Sequence, residues 1–148
     1  MNSQRDSKSW TNRLVALGRY ALAVVLLVTA LAKLLDNRGF ATVIGAYALL
    51  PRALLLPTGL AIGLAELGLS LWLFSGRRIA VAALASTAMH LGYFLLLASA
   101  LARGLALENC GCFGAFWARP LSLVSLGEDL VLIAVSLAIW WGARHRTA

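Results

Sequence analysis

The sequence predicts an all-α integral membrane protein, built as a four-helix bundle. Three observations carry this. Hydrophobic residues make up 61% of the 148 and charged residues 13%, against about 45–50% and 25% in ordinary globular chains. Four apolar stretches are each long enough to cross a hydrocarbon core, which takes about 20 residues. The connections between them are short, with no room for a second domain.

Residues 1–13 are polar and basic. A stretch such as "NSQRDSKS" cannot build a core, so this tail is expected to be disordered or interfacial. The first span runs over Leu14–Leu35, with Arg19 and Lys33 near its ends. The basic lead, the apolar run and Ala30-Leu31-Ala32 mimic a cleaved signal peptide. The run is long for one, and Leu34 and Leu35 continue it past Lys33, so it reads as an uncleaved span. Asp36–Arg52 follows, and its "GFATVIGAYALLP" predicts a short interfacial helix.

The second span, Ala53–Gly76, carries one ionisable residue, Glu66. "GRR" at Gly76–Arg78 makes a tight turn. The third span, Ile79–Ala102, carries His90. Arg103–Arg119 contains both cysteines and leads into the fourth span, Pro120–Ala143, with Glu128 and Asp129. Residues 144–148 form a short tail. Gly59 and Gly63 form G-x-x-x-G, and Ala82, Ala85, Ser86 and Met89 fall near one face of the third span. Small residues let helices approach closely in lipid.

The net charge of +7 does not point to nucleic acid, because the basic residues sit at the ends of apolar runs. That is how a membrane protein uses them. Arg5, Lys8, Arg13, Arg19, Arg77, Arg78, Arg144 and Arg146 share one side. Lys33, Arg38, Arg52, Arg103 and Arg119 share the other. The larger group is expected on the cytoplasmic side of a bacterial inner membrane. Both termini are then inside, and the cysteine loop faces the periplasm or exterior, where disulfides persist.

Cys110 and Cys112 flank Gly111 in "ENCGCFG". A disulfide needs Cα atoms about 4.4–6.8 Å apart, which residues i and i+2 reach in a bent backbone. Gly111 eases that bend. Such a bridge is strained, easily reduced and suited to exchange. Two thiolates could instead bind Cu(I), but few further ligands lie near, and no metal site is assigned. The plainest alternative is two small residues at a membrane edge.

Glu66 and His90 lie at similar depth, roughly 18–20 Å from the outer helix ends at 1.5 Å per residue. Antiparallel neighbours could bring them together. An ionisable residue inside the membrane is a functional hypothesis by default. The pair could relay protons or hold a quinone oxygen, or could serve as neutral hydrogen-bonding glue between helices. Lys33 could snorkel to the interface or pair with Asp36 at i, i+3. Glu128 and Asp129, being adjacent, point to different faces; one is expected toward the bundle and the other toward a headgroup or Arg119.

"LAKLLDNRGF", "YALLP", "LAELGLSLWLFSG" and "CGCFG" occur in that order. Together they resemble the MauE branch of the broader DoxX-like family of small four-helix membrane proteins, over about Val15–Ala138. The matching positions are Lys33, Asp36, Phe40, Tyr47, Pro51, Glu66, Cys110, Gly111, Cys112, Phe113, Gly114 and Asp129. Glu128 departs from the pattern, which often has Arg there. The resemblance implies a membrane accessory protein of methylamine utilisation, an amine metabolic process. It would be linked to processing or export of the disulfide-rich small subunit of periplasmic methylamine dehydrogenase. It also implies thiol–disulfide electron transfer, with quinone as a possible acceptor and a periplasmic client or thioredoxin-like protein as partner.

On this reading Cys110 and Cys112 form the redox pair, supported by Lys33, Asp36, Glu66, His90, Gly111, Phe113 and Asp129. The rival readings are a non-enzymatic scaffold for a maturation complex and a small metal or solute carrier.

Overall fold

A computed structural model describes residues 3–144, with the side chains of residue 10 and of 12–144. It contains five helices: α1 (Ser3–Leu35), α2 (Asn37–Ala46), α3 (Arg52–Ser75), α4 (Ile79–Ala102) and α5 (Leu123–Arg144). Four segments are long and apolar enough to span a membrane: Asn12–Leu35, Arg52–Ser75, Ile79–Ala102 and Leu123–Arg144. They match the stretches predicted from hydropathy to within about one turn. The polar lead, expected to be disordered or interfacial, is helical: α1 continues back to Ser3. Residues 145–148, including His145 and Arg146, lie outside the described residues.

Local chemistry explains the breaks. Asp36 ends α1 and caps α2: its carboxylate accepts from the Gly39 amide at 2.8 Å, satisfying one of the amides a helix start leaves open. Asp36 is therefore a cap and not the i, i+3 partner of Lys33. Pro51 precedes α3 in an extended conformation. α3 stops at Gly76, which takes φ 69°, a value glycine adopts without penalty. Arg19 reaches over from α1 and donates to the Leu73 carbonyl at 2.7 Å, so a cation closes the negative end of α3.

α1 packs against α3 and α5, α4 packs against α5, and α2 lies along α3. Gly59 and Gly63 permit this. A Cβ at Gly63 would sit 2.7 Å from Leu34, and one at Gly59 would sit 3.3 Å from Phe40. The G-x-x-x-G surface therefore accepts the end of α1 and the start of α2. One apolar cluster joins all four long helices through Leu22, Leu26, Leu69, Leu73, Ala82 and Ile139. Buried serines stitch the same region: Ser70 donates to the Ala23 carbonyl at 2.7 Å, and Ser86 and Ser136 hydroxyls lie 3.0 Å apart. Large apolar side chains such as Leu17, Val28, Leu64, Leu95 and Val131 remain exposed on the outside. Four apolar helices, each exposing large apolar side chains outward, make an all-α membrane bundle.

Candidate functional site

The α4–α5 connection folds inward over the bundle. Two backbone bonds close its neck: Cys110 N–H to the Arg119 carbonyl at 2.8 Å, and Leu121 N–H to the Leu107 carbonyl at 2.9 Å. Asn109 shapes the tip. Its carboxamide oxygen accepts from Gly111 N–H at 2.9 Å, and its amide donates to the Gly114 carbonyl at 3.0 Å. Gly111 has φ 82° and Gly114 φ 67°. A Cβ on Gly114 would stand 3.0 Å from the Ala32 carbonyl carbon and 3.2 Å from the Lys33 nitrogen. Only glycine lets the loop rest on the last turn of α1. Tyr47 holds the loop from the other side, donating to the Cys110 carbonyl at 2.6 Å. Arg103 in turn donates to the Tyr47 carbonyl at 2.9 Å.

Both cysteines are free thiols, with sulfurs 3.2 Å apart. Cys110 is buried and Cys112 half-buried. Either thiol can donate across this contact; the surroundings favour Cys112 as donor to a Cys110 thiolate. The hydrogen bond from Cys112, helped by the Ser125 hydroxyl and Arg119, lowers the Cys110 thiol to about 6 against the opposing effect of burial. The same contact, with burial and the negative charges of Cys110 and Asp129, pushes Cys112 far upward. One thiolate and one thiol is the form the pair adopts near neutrality. Burial and the nearby thiols also raise the Tyr47 phenol, so it remains a donor. Arg119 holds Glu128 through two bonds of 2.9 and 2.7 Å, which raises its already high pKa. Asp129 faces the bundle, as the adjacent positions require.

Beneath the loop lies a second cluster. Lys33 is 2% exposed and Glu66 1%. Lys33 Nζ donates to Glu66 Oε1 at 2.6 Å, and the Tyr93 hydroxyl donates to the same oxygen at 2.6 Å. The ammonium also lies over the Phe40 and Tyr93 rings at 5.5 and 5.3 Å. Three expectations therefore change. Lys33 does not snorkel, does not pair with Asp36, and takes the place beside Glu66 that the depth count gave to His90. The count placed all outer helix ends at one level. In the fold, α2 turns back along the first part of α3, so the end of α1 meets the middle of α3. His90 instead bonds within its own helix, Nδ1 to the Ser86 carbonyl at 2.8 Å, with its ring edge-on to Tyr93 at 6.3 Å.

Two cavities meet at the cysteines. The first, about 270 Å³, is apolar and touches Phe40, Tyr47, Leu97, Cys110 and Cys112. The second, about 620 Å³, is bordered by Glu66, His90, Cys112, Phe113 and Asp129. Cys112 and Tyr93 line both. Phe113 closes part of the second cavity, its ring 6.2 Å from Trp117. Among the described residues no three His, Cys, Asp or Glu side chains gather closely enough to hold a metal ion. Sequence reasoning missed Tyr93 and Ser125. Tyr93 had a readable signal: it lies three residues after His90, on the same face of α4.

A multi-pass membrane bundle with a paired-cysteine loop folded onto buried ionisable groups defines the class of protein. A family model described as methylamine utilisation protein MauE matches residues 11–142. The chain belongs to this family of membrane proteins. No curated protein and no solved structure matches it.

Proposed function

We propose that the Cys110-Gly111-Cys112 loop carries thiol–disulfide exchange for a periplasmic client or a thioredoxin-like partner, at the outer face of a bacterial inner membrane. The family points to the small subunit of methylamine dehydrogenase as a client. The excess of Lys and Arg at the opposite end supports this orientation, in which both termini are cytoplasmic.

The observation that carries this reading is the asymmetry of the pair: sulfurs 3.2 Å apart, with Cys110 lowered to about 6. In exchange, a partner thiolate attacks one sulfur of a disulfide and the other leaves; a low-pKa thiol leaves faster. Cys112 is the more exposed residue of the two, so it takes the mixed disulfide. Cys110 leaves as the stabilised thiolate. In the reverse direction Cys110 resolves the mixed disulfide at Cys112.

Alkylation trapping in membranes tests this. The two thiols should be protected from a maleimide after oxidant and reactive after reductant. A single fixed state under both treatments ends the exchange reading. A Cys110→Ser, Cys112→Ser variant that keeps full client maturation would assign the bundle a scaffold role instead.

A further inference from the structure

Exchange at the loop begins with the Cys112 sulfur, yet Cys112 is the member of the reduced pair that keeps its proton. Its hydrogen bond with Cys110 and its burial push the thiol far upward. Only a thiolate attacks a disulfide. Cys110, at 3.2 Å, is a poor acceptor for that proton, because a protonated Cys110 can no longer resolve the mixed disulfide. A second acceptor has to stand beside Cys112.

The wall of the larger cavity carries Cys112 and three carboxylates, Glu66, Glu128 and Asp129. Two of these are committed. Glu66 is paired with Lys33 of α1 at 2.6 Å, and Tyr93 of α4 donates to the same oxygen. Glu128 is held by Arg119 of the loop through two bonds. A cation beside a carboxylate makes it a weaker base. Asp129 has no ion-pair partner among the described residues. It is 5% exposed, and its Oδ2 has no hydrogen-bond partner. Buried polar atoms are almost always paired, so this free oxygen is a place for a proton. It also faces the right way. Asp129 lies one helical turn from Ser125 on the same face of α5, and the Ser125 hydroxyl bonds Cys110. Cys112 feels the Asp129 charge directly. Tyr47, beside the loop, is engaged as a donor to the Cys110 carbonyl. His90 of α4 is the other acceptor on the wall, with Nδ1 bound to the Ser86 carbonyl.

We infer that Asp129 is the proton acceptor for Cys112: its carboxylate takes the thiol proton as Cys112 attacks a partner disulfide, and returns it to a partner sulfur that leaves. The inference deepens the exchange reading and rests on it. The step balances. Cys112 sulfur bonds to one partner sulfur, the partner S–S bond breaks, and the other partner sulfur leaves as a thiolate. The Cys110 thiolate then attacks Cys112, the loop S–S bond forms, and the second partner sulfur leaves. Two electrons pass from the loop to the partner, and the proton held by Asp129 goes to a departing thiolate. In the opposite direction Asp129 takes a proton from the partner's second thiol and gives it to the departing Cys112 sulfur. No further reactant is needed.

Full-length Cys110→Ser protein in lipid nanodiscs isolates Cys112 for the test. Its reaction with dithiodipyridine is followed by the thiopyridone released, between about pH 6 and 9. The sign of the Asp129→Asn effect decides. A bystander carboxylate only hinders ionisation of the thiol, so its removal would speed the reaction. Removal of the acceptor should instead slow it by about a hundredfold at neutrality, the lower end of what a positioned base contributes. The rate should level off with pH once Asp129 is ionised. With Asn it should climb by about tenfold per pH unit, because hydroxide has to take the proton. Asp129→Glu should recover part of the rate and the levelling, and His90→Gln should leave both unchanged. Three results overturn the inference: an Asp129→Asn rate equal to or above the parent's, a Glu variant as slow as the Asn variant, and an equal loss in His90→Gln. Failure of the exchange reading looks different. A Cys112 that reacts in none of these proteins at any pH ends that reading and this inference with it. Ready reaction that is indifferent to Asp129 ends this inference alone.

Discussion

Lys33, in the last turn of α1, is bound to Glu66, in α3, at 2.6 Å with both side chains almost fully buried. The pair joins the two helices below the cysteine loop. Each charge is tolerated there because of the other, and Tyr93 adds a further donor to the same carboxylate oxygen. Taking two ions from water is costly, and the cost becomes severe when one partner is removed.

Lys33→Met should therefore destabilise the protein by about 3–5 kcal/mol, the usual result of leaving a buried charge unpaired. A Lys33→Met, Glu66→Met double variant should recover much of that loss. Thermal unfolding in one detergent, followed by helical circular dichroism, makes the comparison. A single variant no worse than the double would mean that the pair does not behave as a buried ion pair.

The asymmetry of the cysteines predicts which variant accumulates an intermediate. Cys110→Ser lacks the resolving thiol and should trap a mixed disulfide at Cys112 with a small disulfide-bearing peptide. Cys112→Ser should trap much less, because Cys110 is the more buried residue. Non-reducing electrophoresis with mass spectrometry reads the adduct. Equal trapping by both variants would remove the assigned order of attack.

The pH dependence follows from the thiolate fraction. With Cys110 lowered to about 6, its alkylation by iodoacetamide should be half-maximal near that pH, fall below it and be nearly constant above pH 7. The chief cause of the lowering is the hydrogen bond with Cys112. In Cys112→Ala that bond is lost, so the midpoint should move up toward the ordinary thiol value of about 8.5. Peptide-resolved alkylation rates between pH 5 and 9 check the sign as well as the size.

Gly114 should be intolerant of a side chain. Its φ of 67° costs an L-residue about 1–2 kcal/mol, and its Cβ would press on the backbone of Ala32 and Lys33. Gly114→Ala should lift the loop from α1, lower thermal stability and slow thiol exchange. Gly127→Ala is the control, since a Cβ there meets nothing within 4 Å. Parallel losses in the two variants would show that close approach at Gly114 is not what seats the loop.

Hydropathy placed the four spans because a membrane span is a local property: about 20 apolar residues satisfy it whatever their neighbours. The helix after Asp36 was equally legible, as were the cysteines with their intervening glycine and the separation of Glu128 from Asp129 on different faces. Local counting could not assign the partner of Glu66. Depth along one helix predicts contact only if all helices begin at the same level, and α2 breaks that condition by folding back along α3.

The sequence by itself determined the class of molecule, its spans and the residues able to do chemistry, since these depend on composition and short-range pattern. The tertiary structure alone decided that Lys33 neutralises Glu66, that Gly114 seats the loop on Ala32, and that Cys112 stands between two cavities. Each of these is a contact between residues far apart in the chain. Such contacts are set by helix offsets and close backbone approach, which leave no period in the sequence to read.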